Sequence, residues 1–213
     1  MRETLRTARL RAGEAQILRI ADFLDYVLRF NERFNLVSRK AGGRDLAAHA
    51  ADSVSLARLL ERLGITSVCD VGSGAGFPGI VLKILLPSLG VKLVEIREKK
   101  ALFLENAASF LGIKGIEVIN RDINRVVEDG ARFRCVVSKA FRPLEEWLML
   151  GGAAVEPGGF VIAMAGKNQR LPDDDSLSRS GLEIVEIDDV MYEFTGNRNL
   201  LFRKKIWRLL KNL

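Results

Sequence analysis

Cysteine is scarce. Cys69 and Cys135 are the only two in 213 residues, and both sit inside apolar, strand-like runs. A disulfide framework is excluded, as is a zinc site built on paired cysteines, and two buried, reduced thiols are expected instead. Histidine is scarcer still, with His49 alone, so no metal is expected. No stretch approaches the roughly 18–20 consecutive apolar residues of a membrane span, so no membrane partner is expected. The basic N-terminus is not followed by the apolar segment and small-residue cleavage site of a secretory signal. These absences point to a cytoplasmic setting. There is also no internal repeat and no low-complexity tract. What remains is a chain with a hydrophobic fraction of 48%, enough for a real core.

Acidic residues are missing from one end. Between Arg198 and Leu213 there are six basic side chains and no acidic one, while the rest of the chain is balanced. The whole formal excess of +6 therefore lies at the C-terminal end. A basic patch beside a neutral domain suits a polyanion. A solvated terminal strand would read the same way when taken alone.

Glycine, by contrast, is concentrated in the segment Val68-Cys69-Asp70-Val71-Gly72-Ser73-Gly74-Ala75-Gly76-Phe77-Pro78-Gly79. An apolar run ends in a carboxylate, a glycine-rich turn follows, and a proline stands where a helix can begin. Such a turn lets a ligand approach the bare backbone and its N–H groups. Two readings fit. Gly74, Gly76 and Gly79 satisfy the dinucleotide pattern G-x-G-x-x-G, with Glu95 near the distance of a ribose-binding acid. The wider pattern, with Asp70 two residues before Gly72, resembles the first motif of S-adenosylmethionine-dependent methyltransferases. Their second motif is an acid closing the next strand, and Glu95 after Val91-Lys92-Leu93-Val94 fits it.

Around this loop the periodicity organises the chain. Residues 14–34 carry apolar positions at helical spacing (Ile17, Ile20, Leu24, Val27, Leu28), and a second helix is expected from Asp45 to Leu63, ending at Gly64. From Thr66 onward, strands are expected at 67–71, 91–95, 115–120, 133–138 and 158–165, with helices at 78–86, 98–111, 122–128 and 143–151. Two more strands follow a polar segment, at 182–190 and 199–208. This alternation predicts an α/β protein whose parallel sheet is covered on both faces. We divide the chain into an N-terminal helical extension, 1–64, packed on a core, 65–213. The glycine loop, Glu95, Asp122 and Lys139 all fall at carboxyl ends of strands, where ligands of such sheets lie.

Methyl transfer from a sulfonium needs alignment more than covalent help. The Asp/Asn-Pro-Pro-aromatic motif that handles exocyclic amines is absent, since the corresponding place reads Ser138-Lys139-Ala140-Phe141-Arg142-Pro143. Neither cysteine is placed to attack a pyrimidine carbon. A nucleophile with a free lone pair, such as purine N7, needs neither device.

A set of motifs occurs in order: Asn35-Leu36, His49-x-x-Asp52-Ser53, the segment from Asp70 to Gly79, Lys99-Lys100, Arg121, Ser138-Lys139-Ala140-Phe141, and Gly166-Lys167. Together they resemble the RsmG (GidB) family, bacterial 16S ribosomal RNA guanine-N7 methyltransferases, from about residue 15 to Arg203. The resemblance implies a Rossmann-like class I methyltransferase fold, a mainly parallel seven-stranded sheet with an antiparallel C-terminal strand. It implies S-adenosyl-L-methionine as cofactor and a guanine near the decoding site of 16S rRNA, or of the small ribosomal subunit, as target. Carried over by position, Gly72, Ser73, Gly74 and Phe77 line the methionine and sulfonium region, while Glu95, Ile96 and Arg97 surround ribose and adenine. Asp122 and Ile123 flank the adenine, and Lys139 stands between cofactor and RNA. Asn35, Arg121, Lys139, Arg142, Lys167 and Arg198 become the RNA contacts. No residue is implied as an acid or base catalyst, and Lys139, His49 and Asn35 are the positioning candidates. The family usually carries arginine where this chain has Lys139, and Ala-Glu where it has Asp122-Ile123. A monomer is expected. Other readings are a methyltransferase for another RNA or a small molecule, a non-catalytic RNA-binding module, and a nicotinamide-dependent oxidoreductase.

Overall fold

Seven short apolar runs pair into one sheet: β1 (Ser67–Val71), β2 (Gly90–Val94), β3 (Ile116–Ile119), β4 (Phe133–Lys139), β5 (Val155–Gly166), β6 (Leu182–Asp188) and β7 (Asn197–Lys204). They are seen in a computed structural model that describes residues 12–38, 41–166, 168–188 and 197–205. The order across the sheet is β3-β2-β1-β4-β5-β7-β6. The first five strands are parallel, with Val68 opposite Val91 and Val91 opposite Ile116. β7 runs antiparallel to both β5 and β6. Strand order reverses between β1 and β4, which opens a crevice beyond their carboxyl ends.

Seven helices are described: α1 (Glu14–Phe34), α2 (Gly43–Arg62), α3 (Gly79–Leu85), α4 (Glu98–Phe110), α5 (Ile123–Glu128), α6 (Leu144–Ala154) and α7 (Asp174–Ser180). In α1 the buried line is Ile20, Phe23, Val27 and Asn31, spaced by three and four so that all fall on one face. The helix stops at Asn35, whose left-handed backbone (φ 47°) suits a C-terminal cap. At the other end, Gln16 Nε2 donates to the carbonyls of Ile84 and Leu85, both at 2.9 Å, tying α1 to the last turn of α3. α2 is buried on more than one side, with Leu46, Ala50, Val54, Leu56 and Leu60 all enclosed.

The sheet separates two apolar clusters. One gathers Phe23, Leu56, Leu60, Ile80, Leu93 and Phe103 from α1–α4 and the strands between them. The other gathers Val71, Val94, Ile123, Val136, Trp147 and Phe202, with α5 and α6 as its cover. Both thiols are free and buried, as the apolar strand runs require; burial pushes Cys135 up to about 12, so neither is a ready nucleophile.

Three local differences from the periodicity have physical causes. The polar segment after β5 contains a helix, α7, because the Asp173 carboxylate accepts from Ser176 N–H at 2.8 Å as an N-cap. Phe110 follows Phe103 and Ala107 at helical spacing, yet it does not join the core face of α4; it is 58% exposed and stacks on Tyr26, with ring centroids 4.7 Å apart. β5 starts at Val155, earlier than the expected 158, because Val155 already pairs with Phe133 at the end of α6; the register then shifts across Pro157 and Gly158 before Phe160 pairs with Cys135. The ends expected for the last two strands, 189–190 and 206–208, lie outside the described residues.

Candidate functional site

Gly72, Gly74 and Gly76 all have positive φ (74°, 55° and 94°), so the chain reverses sharply after β1. Gly72 is also a close approach, since a Cβ there would overlap the Phe141 ring that follows β4. Gly79 packs α3 on the sheet, and a Cβ there would overlap the Leu93 side chain.

The loop does not offer the row of free amides that its glycines suggest. Gly72 and Ser73 N–H both donate to Val94 C=O, at 2.9 and 3.2 Å. Gly74 N–H donates to Glu95 Oε2 at 3.0 Å, Gly76 N–H to Ser73 C=O at 2.7 Å, and Gly79 N–H to Asp70 Oδ2 at 3.0 Å. Five of its amides are therefore spent on its own folding, and what the loop supplies is mainly shape and close approach. A pyrophosphate needs open amides at such a turn; a cofactor without phosphate does not.

Asp70 is enclosed beneath the loop, and burial pushes its carboxyl up to about 7 against the opposing Gly79 N–H bond. The folded chain thus holds a proton on Asp70 between its ordinary 3.8 and about 7, where the unfolded chain has lost it. Stability conferred by this group falls as pH rises through that window. Asp70→Asn removes the titration. Melting temperatures of the two proteins across pH 5 to 8 should show wild type losing ground to the variant as pH rises, and a constant difference would contradict the buried, protonated carboxyl.

Beyond the loop lies a crevice of about 380 Å3. Glu95 closes one side of it, with its carboxylate anchored at both oxygens, Oε2 by Gly74 N–H and Oε1 by Arg97 N–H at 2.9 Å. Each oxygen keeps a second lone pair for an acceptor role, which suits a vicinal pair of hydroxyls. Asn120 Nδ2 donates to the carbonyls of Glu95 and Ile96, at 2.8 and 3.2 Å, and holds that turn in place. Ile96 is 59% exposed at the edge of the crevice, and Ile123 lies buried across from it. Asp122 also borders it, but its carboxylate caps α5 by accepting from Asn124 N–H at 2.8 Å.

On the other side, at the end of β4, Lys139 Nζ lies 2.7 Å from Asp52 Oδ2 and 2.8 Å from His49 Nδ1. An ammonium has only donors, so His49 Nδ1 accepts and the imidazole proton sits on Nε2. Burial lowers both His49 and Lys139, with Asp52 opposing the fall in each. The next residue, Ala140, has φ 50°, which turns Phe141 back across Gly72.

A family model, GidB, described as rRNA small subunit methyltransferase G, matches residues 16–191. The chain belongs to this family. A ribosomal RNA small subunit methyltransferase G of Myxococcus xanthus is 40% identical over 153 residues, 71% of this chain and 70% of the relative. That of Pelotomaculum thermopropionicum is 33% identical over 195 residues, 88% of this chain and 81% of the relative. Among solved structures, a mutant of MtNAS in complex with S-adenosylmethionine aligns with TM-score 0.61 at 16% identity, covering 90% of this chain and 76% of the other. A ribosomal protein L11 methylase from Lactobacillus delbrueckii subsp. bulgaricus aligns with TM-score 0.57 at 19% identity, covering 73% and 80%. These likenesses establish the class I methyltransferase fold for this GidB chain.

Within the GidB fold the expected site residues separate into three groups. Gly72, Gly74, Glu95, Ile96, Arg97, Asp122, Ile123 and Lys139 border the crevice, together with Arg121 and Arg142 at its rim. Arg121 is paired with Asp129 at 2.6 Å, and Arg142 lies over Phe141, 5.1 Å from the ring centroid. Ser73 and Phe77 point elsewhere. Ser73 Oγ donates to Asp70 C=O at 2.8 Å, and the Phe77 ring packs between Phe23 and His49, with centroids 5.1 and 5.5 Å away. Asn35 caps α1 and does not border the crevice, while Arg198 Nη2 donates to Gln169 C=O at 3.0 Å. Lys167 lies outside the described residues. Lys100 and Phe141 border the crevice without having been singled out for the cofactor; their only advance sign was membership of the Lys99-Lys100 and Ser138–Phe141 motifs.

Proposed function

We propose that this GidB protein transfers the methyl group of S-adenosylmethionine to N7 of a guanine in a decoding-region loop of 16S rRNA, acting as a cytoplasmic monomer. The observation that carries the cofactor reading is the glycine loop itself. Five of its amides donate inward, its Gly72 lies against Phe141, and beside it Glu95 presents an anchored carboxylate. That combination favours a nucleoside without phosphate over a nicotinamide dinucleotide. The rRNA target is supported by family membership and by the names of the relatives.

In this reading Glu95 takes the two ribose hydroxyls, while Ile96, Asp122 and Ile123 bound the adenine. Gly72, Gly74 and Phe141 bound the methionine end, and Lys139, Arg121 and Arg142 face the RNA, with Asn35, Lys167 and Arg198 as outlying contacts. The bound sulfonium supplies an activated methyl carbon and a leaving thioether. A guanine N7 held in line would accept that methyl through its free lone pair, the electrons of the C–S bond going to the departing thioether. No proton leaves the nucleophile, so the protein needs no general base and contributes alignment. The product ring is cationic. Because Asp52 neutralises Lys139, that ring does not develop its charge against an unpaired ammonium.

Incubation with methyl-labelled S-adenosylmethionine and unmodified 16S rRNA or small subunits tests the substrate. Label on one guanine N7 is expected. Binding of S-adenosylhomocysteine with no label on any guanine N7 overturns the substrate reading and leaves the cofactor reading standing.

A further inference from the structure

Lys139 is a long, flexible side chain that would ordinarily lose much rotamer freedom to hold one position. Here it is 14% exposed, and its ammonium is held at two points, by Asp52 Oδ2 and His49 Nδ1. Both partners come from α2, roughly ninety residues away in sequence and one turn apart on the same helix face. Asp52 is itself fixed, because Asn197 Nδ2, at the start of β7, donates to Oδ2 at 3.0 Å. Its second oxygen, Oδ1, is buried without a hydrogen-bond partner among the described residues. A buried carboxylate with an unmet lone pair is costly. Here that cost is offset at Oδ2, by the Lys139 ammonium together with the Asn197 amide, and the ammonium is the charged one of the two, which marks the charge of Asp52 as what the site uses. Two of the three Nζ protons are engaged, and Lys139 borders the crevice. The third has no hydrogen-bond partner among the described residues.

We propose that Asp52, with His49, is a positioning residue that seats the Lys139 ammonium so that its remaining N–H takes an oxyanion of a bound reactant, either the carboxylate of the cofactor or a phosphate of the RNA. A guanidinium could grip such a group with a planar fork. A lysine is a point charge on a flexible stem, and the seat supplied by α2 gives it the fixed direction that its own chemistry lacks. This inference rests on the methyltransferase reading for the identity of the oxyanions. The groups that face His49 are Lys139 from β4, and Asp52 and Asp45 from its own helix. Protonation of His49 would replace an acceptor by a second cation and push the ammonium out of its seat.

The test is a double-mutant cycle of Asp52→Asn and Lys139→Met, with every variant's melting temperature recorded. Asp52→Asn keeps size and removes charge, and Lys139→Met keeps most of the stem and removes the ammonium. Two readouts are taken on each protein: affinity for S-adenosylhomocysteine by calorimetry, and kcat and KM for methylation of 16S rRNA. If the oxyanion is the cofactor carboxylate, Asp52→Asn alone weakens S-adenosylhomocysteine binding by about tenfold. If it is an RNA phosphate, that affinity is unchanged and KM for RNA rises by about tenfold. In both cases the effect of Asp52→Asn falls within twofold of nothing in the Lys139→Met background, because the group it positions is gone. An Asp52→Asn effect of equal size in both backgrounds overturns the inference, and so does an unchanged affinity together with an unchanged KM. If wild type binds S-adenosylhomocysteine but labels no rRNA, the substrate reading fails; the calorimetric cycle then decides alone, and an unchanged affinity overturns the inference.

Discussion

Gly72→Asp is expected to abolish binding of S-adenosylmethionine, with a loss of about a thousandfold or more, ~4 kcal/mol. Three costs add at one residue. A side chain at φ 74° is strained by about 1–2 kcal/mol. The new Cβ would overlap the Phe141 ring, which must shift beside the space proposed for the methionine end of the cofactor. The carboxylate would then enter a crevice already bounded by Glu95, with Asp70 beneath it. Calorimetry with S-adenosylhomocysteine reads the loss, and a thermal melt separates it from unfolding. Gly72→Ala carries the first two costs without the charge and should lose less. Affinity of the aspartate variant within tenfold of wild type would contradict the placement of the cofactor against this turn.

Glu95→Ala is expected to lower cofactor affinity by about 100-fold or more, for two connected reasons. The carboxylate is the acceptor for Gly74 N–H and Arg97 N–H, and removing it strands both donors at roughly 1–3 kcal/mol each. The same oxygens are the proposed partners of the ribose hydroxyls, where bonds to a charged acceptor contribute about 1.5–3 kcal/mol. A 2′-deoxy analogue of S-adenosylhomocysteine separates the two contributions. Wild type should discriminate against the analogue, whereas Glu95→Ala should bind both ligands alike. Equal discrimination by both proteins would place the hydroxyls elsewhere.

The strands and the strand-end residues were legible because they rest on local chemistry. A short β-branched run ending in Asp70 or Glu95 and followed by glycine or a helix start reads the same in any context, and β1, β2 and β4 lie where their patterns predict. What could not be read depends on distant contacts. The glycine loop suggested open amides, yet the partners that take them, Val94 C=O and Glu95, come from the next strand. Phe77 belongs to a cofactor motif by position, but it is turned inward because Phe23 from α1 and His49 from α2 surround it. Nothing in the spacing of His49 and Asp52 joins them to Lys139, and only the folded chain brings its ammonium to both. α7 was missed because a polar stretch has no apolar periodicity, although Asp173 three residues before Ser176 carried the capping signal.

A crystal structure of the protein with S-adenosylhomocysteine bears most directly on the site. The ligand is expected in the crevice between β1 and β4, with its adenine beside Ile96 and Ile123 and both ribose hydroxyls on Glu95. Density for it anywhere else, or in the crevice with the Glu95 carboxylate turned away from the sugar, would contradict the cofactor site proposed for this protein.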